Sequence, residues 1–155
     1  MSPAIDSGRD AAGAGEGWKM IAVAPAALHR YWPLVRDGFE TVRRKACQAW
    51  WGEDLYAAVL GGRAQLWVGT IGGRLAGAAV VCLDTEPYGG ERSLLIWAAF
   101  SLHPAALRHG LREFEQIARA HGVARLRFVS PRRGFARRMA AAGFQVTQRT
   151  YEKVI

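Results

Sequence analysis

The chain has 155 residues, half of them hydrophobic, with a net charge of +8; that is enough for one domain with a buried core. No apolar run reaches the ~18–20 residues that cross a bilayer, and the opening MSPAIDSGRDAAGAGEG lacks the charged-then-apolar order of a secretory signal, so a cytoplasmic, non-membrane protein is expected. Residues 1–100 carry ten Lys/Arg and ten Asp/Glu, whereas residues 101–155 carry eleven Lys/Arg and three Glu. A half this basic either keeps the chain soluble or meets an anionic partner.

Small and polar residues dominate positions 1–17, which read as a disordered tail ahead of a domain at 18–155. Trp18–Ala24 fits a first strand. Leu28, Trp32, Val35, Phe39 and Val42 recur at helical spacing. Pro33 is tolerated in a first turn and not in an interior, so the main helix is expected to start near Pro33 and to end at Arg43-Arg44-Lys45. A second helix is expected over Gly52–Leu60, with Glu53 and Asp54 in its first turn. Ala64–Ile71 and Arg74–Leu83 flank Gly72-Gly73, the signature of a hairpin. Ser93–Phe100 is apolar throughout, as a strand covered on both faces should be. Pro104–His121 is amphipathic, with Leu107, Leu111, Phe114 and Ala118 on one face. A short strand, a short helix from Arg132 to Ala142 and an alternating last strand complete the chain. Cys47 and Cys82 have no metal-type spacing and read as reduced thiols. His29, His103, His109 and His121 show no metal-ligand pattern, so no metal is expected. Ser130 lacks the glycines of a nucleophile elbow.

The order β-α-α-β-β-β-α-β-α-β, the hairpin QLWVGTIGGRLAGAAVV and the Ala142-Gly143-Phe144 ending resemble the GNAT (acetyltransferase-type) fold, an α/β single domain with a mixed sheet. Tyr31-Trp32-Pro33, EDLYAAVLGGRAQLWV, Ala118-Arg119-Ala120-His121-Gly122 and Arg133-Gly134-Phe135 resemble GNAT-like proteins of tailed bacteriophages, some of which lie among virion-structure and assembly genes. The resemblance implies acetyl-CoA bound through a glycine-rich loop opening the third helix. Backbone N–H groups there hold the pyrophosphate. This chain has SLHPAALRHGL instead, with His103-Pro104 similar to the His-Pro that often precedes the loop. If CoA binds, free N–H groups near Ala105–Leu107 would hold it, with Phe100, Ser101, Arg108 and His109 as the contact residues. The resemblance also puts a general-acid tyrosine four residues before Gly143, where this chain has Met139, which cannot donate a proton. Tyr151 is not assigned that role, and Asp84 and Glu86 are base candidates by proximity alone. No catalytic residue is therefore named.

Arg125, Arg127, Arg132, Arg133, Arg137 and Arg138 form the densest basic cluster. It is expected to meet another protein, such as a phage structural protein, ahead of nucleic acid, because no nucleic-acid signature accompanies it. The sequence thus points to a GNAT-fold binding, virion-structure or assembly component with no cofactor, in the host cytoplasm or the virion. An acetyl-CoA-dependent N-acetyltransferase with a divergent site is the alternative.

Overall fold

A computed structural model describes residues 17–85, 88–130, 133–147 and 151–155. Strand β1 (Trp18–Val23) leads through a 3-10 turn at Pro25–Ala27 into α1 (Leu28–Lys45), α2 (Gly52–Leu60), β2 (Gln65–Ile71) and β3 (Arg74–Thr85). β4 (Arg92–Ser101), α3 (Pro104–Ala120), β5 (Arg125–Phe128) and α4 (Arg133–Ala141) follow. The five strands form one mixed sheet in the order β1-β2-β3-β4-β5. The first four are mutually antiparallel, and β5 runs parallel to β4. Parallel pairing requires a crossover, and α3 supplies it. Among the described residues no helix is long and apolar enough to cross a membrane.

Alternation along the strands sends side chains to two separate cores. Leu66, Val68, Ala78 and Val80 pack with Leu28, Val35 and Phe39 of α1 and with Leu55 and Val59 of α2. Trp67, Ala79 and Val81 pack with Leu111, Phe114 and Ala118 of α3 and Met139 of α4. The sheet is therefore covered by α1 and α2 on one face and by α3 and α4 on the other, as the unbroken apolar run in β4 requires.

Two expectations are corrected. First, α1 begins at Leu28, so Pro33 lies inside it. Leu28 is fully buried, and Tyr31 and Trp32 pack on the same core. Burying that first turn and a half offsets the ~3 kcal/mol that an interior proline costs. Second, the alternating stretch after Phe144 forms no strand in its described residues, 144–147 and 151–155. Val146, Tyr151, Val154 and Ile155 are exposed. Alternation marks a strand only where an edge is ready to receive it, and β5 offers four residues. Of the expected tail only Gly17 is described; its carbonyl accepts from the Gly72 N–H of the hairpin at 3.3 Å. Residues 1–16 lie outside the described residues.

Candidate functional site

β4 carries the feature that shapes the site. In its first half Val81 pairs with Ile96, whereas Val80 pairs with Ala98, so Trp97 is an extra residue. Such a bulge bends its strand and moves every later side chain to the other face. The core contacts show this directly. Leu94 and Ile96 face α3, whereas Ala98 and Phe100, of the same parity, face α1. The pairing of β4 with β5 stops at the same point, with Ile96 opposite Phe128. From Trp97 to Ser101, β4 has no strand partner on its β5 side among the described residues. The β4–β5 ladder ends there because β5 ends at Phe128, and a pocket lined by Ile96, Ala99, Phe100, Ser101 and Phe128 opens beside the unpaired edge of β4. Such an edge is suited to an extended ligand that carries amides.

The far end of β4 leads to the N-terminus of α3. The Leu102 N–H donates to the Ala76 carbonyl at 2.8 Å, which ties this connection to β3. Gly77 permits the approach: a Cβ there would lie 2.6 Å from the Phe100 carbonyl oxygen. His103 is the N-cap, and its Nδ1 accepts from the Ala105 N–H at 3.1 Å. Pro104 follows and has no N–H. The Ala106 N–H donates to the His103 carbonyl at 3.0 Å. Two of the donors expected near Ala105–Leu107, those of Ala105 and Ala106, are thus taken by His103. Pro104 has no N–H, so with Ala105 and Ala106 bonded to His103 these three residues offer no free backbone donor in this arrangement.

Of the four residues expected to contact a cofactor, Phe100 and Ser101 line one apolar pocket with Ala106, Leu107 and Gly110, and Arg108 and His109 do not line it. Phe100 turns to the α1 face, where its ring meets Phe39 edge-on at 5.0 Å. His109 lies on the opposite face, stacked on Trp18 at 5.3 Å with 22° between the rings. The Trp18 indole N–H donates to Glu113 at 3.3 Å. Desolvation, then the charges of Arg108 and Arg112, hold the His109 imidazole below its ordinary value. Burial and neighbouring positive charge thus both favour its neutral form in the free protein. Ser101 and Arg108 are exposed.

Met139, at the position where the resemblance implies an acid, is 8% exposed and packed in the α3/α4 core. Tyr151 is exposed and lies on irregular chain. Asp84 pairs with Ser93, at the opposite end of β4 from the opening, and accepts from the Arg127 guanidinium at 3.5 Å. It is thereby removed as a base for chemistry at the opening. Glu86 lies outside the described residues.

The basic cluster divides into two parts. Arg125 pairs with Glu91 at 2.6 Å and Arg127 with Asp84 at 3.5 Å, so both neutralise acids around the β3–β4 connection. Arg137 and Arg138 are exposed on α4. Arg133 opens α4, and Arg132 lies outside the described residues. Among the described residues there is no His/Cys/Asp/Glu cluster able to hold a metal ion.

Solved structures share this architecture. A probable acetyltransferase matches 88% of this chain and 97% of its own at 15% identity, with a TM-score of 0.64. A predicted acetyltransferase from Clostridium acetobutylicum, solved with acetyl-CoA, matches 88% and 96% at 10% identity, with a TM-score of 0.65. A GNAT family acetyltransferase from Staphylococcus aureus matches 90% and 99% at 10% identity, with a TM-score of 0.61. The chain has the GNAT fold. No protein-family model matches it, and no curated protein is similar to it in sequence. At these identities the GNAT likeness concerns architecture, and chemistry must be argued from the site.

The hairpin, α2 and α3 lie where the sequence places them. The bulge at Trp97 and the end of the β4–β5 ladder at Ile96 were missed, because neither leaves a mark in an apolar run. The His103 cap did leave one: a polar residue followed by proline, just ahead of an amphipathic stretch, is a helix-start pattern.

Proposed function

We propose that this GNAT-fold chain works by binding a partner and does not transfer acetyl groups. The observation that carries this reading is the His103 side chain on the Ala105 N–H. It fills, from within the chain, the helix terminus that would otherwise receive a pyrophosphate. The packed Met139 side chain supports the same reading. The partner is another protein, met through the exposed Arg137 and Arg138 of α4. The resemblance to tailed-phage proteins makes a virion-structure or assembly component the class to try first, with nucleic acid second.

Calorimetry with acetyl-CoA on the purified chain tests the reading. No binding tighter than about 1 mM is expected, and no acetylation of an amine above the uncatalysed rate. Low-micromolar binding together with acetyl transfer would overturn it. In a pull-down, Arg137→Glu with Arg138→Glu should weaken partner capture; unchanged capture would remove α4 as the working face. A second reading, an acyl-CoA-dependent N-acetyltransferase, is favoured by the opening beside Trp97–Ser101, whose free backbone edge suits the amides of a pantetheine arm.

A further inference from the structure

A groove of about 300 Å³ opens between the first half of α1 and the first turns of α2. It is lined by Trp32 and Arg36 of α1 and by Gly52, Glu53 and Tyr56 of α2. Trp32 and Arg36 are four residues apart, as are Gly52 and Tyr56, so each pair shares one side of its helix. The Trp32 ring passes over Gly52, where a Cβ would meet it at 3.5 Å. Trp32 and Tyr56 meet at 5.4 Å and 74°, making an aromatic corner. Phe39 stacks behind Trp32 at 6.0 Å, which fixes the corner to the core. The volume is at the lower end for small-molecule sites, ~300–1,000 Å³.

The two walls seek opposite charges. Aromatic faces attract cations, more strongly beside a carboxylate. Glu53 is exposed and makes no hydrogen bond or ion pair among the described residues. Arg43 is its electrostatic neighbour, but that guanidinium is committed elsewhere. It donates to Glu40 at 2.8 and 2.6 Å and lies over the Trp51 ring at 3.9 Å. On the other wall, Arg36 contacts its sequence neighbour Asp37 at 3.5 Å, with both side chains exposed. Such a contact contributes little and gives way to a better-placed carboxylate.

We propose that this groove binds a free α-amino acid. The ammonium lies at Glu53 against the Trp32–Tyr56 corner, and the carboxylate lies at Arg36. A residue within a peptide has neither charge on its backbone, and a nucleotide has no ammonium, so the pairing of walls selects a small zwitterion. The site is separate from the α4 basic surface and from the β4 opening, and it stands whether or not the function proposed above does.

The test is titration of the full chain with the common α-amino acids, followed by tryptophan fluorescence and calorimetry. At least one should bind with a Kd below about 1 mM. Its N-acetyl and carboxamide derivatives should each bind at least about tenfold more weakly. Glu53→Gln should remove the penalty for N-acetylation and leave that for amidation; Arg36→Gln should do the reverse. Both positions are exposed, so the variants should melt with the wild type, which isolates binding from folding. Gly52→Val, placed under the Trp32 ring, should abolish binding. The proposal is overturned if no amino acid binds with a Kd below about 1 mM, or if neither charge variant changes the discrimination. It is equally overturned if Arg137→Glu with Arg138→Glu alters the affinity, since binding would then lie elsewhere.

Discussion

His103 sets what the N-terminus of α3 can do, because its ring and its carbonyl take the two N–H groups an anion would use. Replacing it separates the two effects. His103→Gly should change stability by only a few tenths of a kcal/mol, since glycine is itself a favoured N-cap, and should raise affinity for inorganic pyrophosphate. His103→Asp, a better capping side chain, should keep the stability and bind no pyrophosphate. Melting curves and calorimetry on the two variants check both statements, and equal pyrophosphate binding by wild type and His103→Gly would show that the cap blocks nothing. A second residue-scale prediction concerns acid. Hydrogen bonds from Arg43, reinforced by Arg44, hold the Glu40 carboxyl well down, from 4.5 to about 2. A depressed carboxyl stabilises the fold fully above its unfolded value, and that contribution is lost as pH falls toward the folded one. Glu40→Gln should therefore melt below wild type at pH 7, and the two melting temperatures should converge between pH 4.5 and 2. The sequence placed Met139 at the position that matters and showed that it carries no proton. It could not show that the side chain is core packing, since burial depends on what α3 and β5 bring against it.

Among the elements, helices and the hairpin were legible because their signals are local: a 3.6-residue stripe for α3, and Gly72-Gly73 at φ +57° and +77° for the turn joining β2 and β3. The site was much less legible because it depends on pairing between distant strands. An extra residue at Trp97 changes which face Phe100 occupies, and nothing in SLLIWAAF distinguishes that register from a regular one. Two helical glycines show how far local propensity carries. In α1, a Cβ on Gly38 would lie 2.5 Å from the Phe100 ring, whereas on Gly110 of α3 it would meet nothing within 4 Å. Alanine gains about 1 kcal/mol over glycine in a helix interior. Gly110→Ala should therefore stabilise the domain by about 0.5–1 kcal/mol. Gly38→Ala should destabilise it by about 1–3 kcal/mol from overpacking, less the propensity gain. Denaturant melts of the two variants should move in opposite directions, and movement the same way would show that the Phe100 ring is not held against α1.

At the scale of the whole molecule, one sheet divides the core into two layers with different tasks. The α1/α2 layer carries the groove at Trp32 and fixes Phe100 at the end of β4; the α3/α4 layer carries Arg108, Arg112, Arg119, Arg137 and Arg138, all exposed. That separation lets one side of the domain meet a partner while the other holds a small molecule, provided α3 stays seated on the sheet. Its seat depends on Phe114, 4% exposed and edge-on to Trp67 at 6.1 Å, near the middle of a cluster that reaches from β2 to α4. Removing the ring leaves a cavity that the surrounding strands, fixed by their ladders, cannot close. Phe114→Ala should cost about 3–5 kcal/mol. Arg112, two residues earlier and exposed, points away from the sheet, and Arg112→Ala should stay within about 0.5 kcal/mol of wild type. Urea unfolding of both variants measures the contrast. A similar loss from each would mean that α3 sits on the sheet in a different rotation, and the assignment of its inner and outer faces would fall with it.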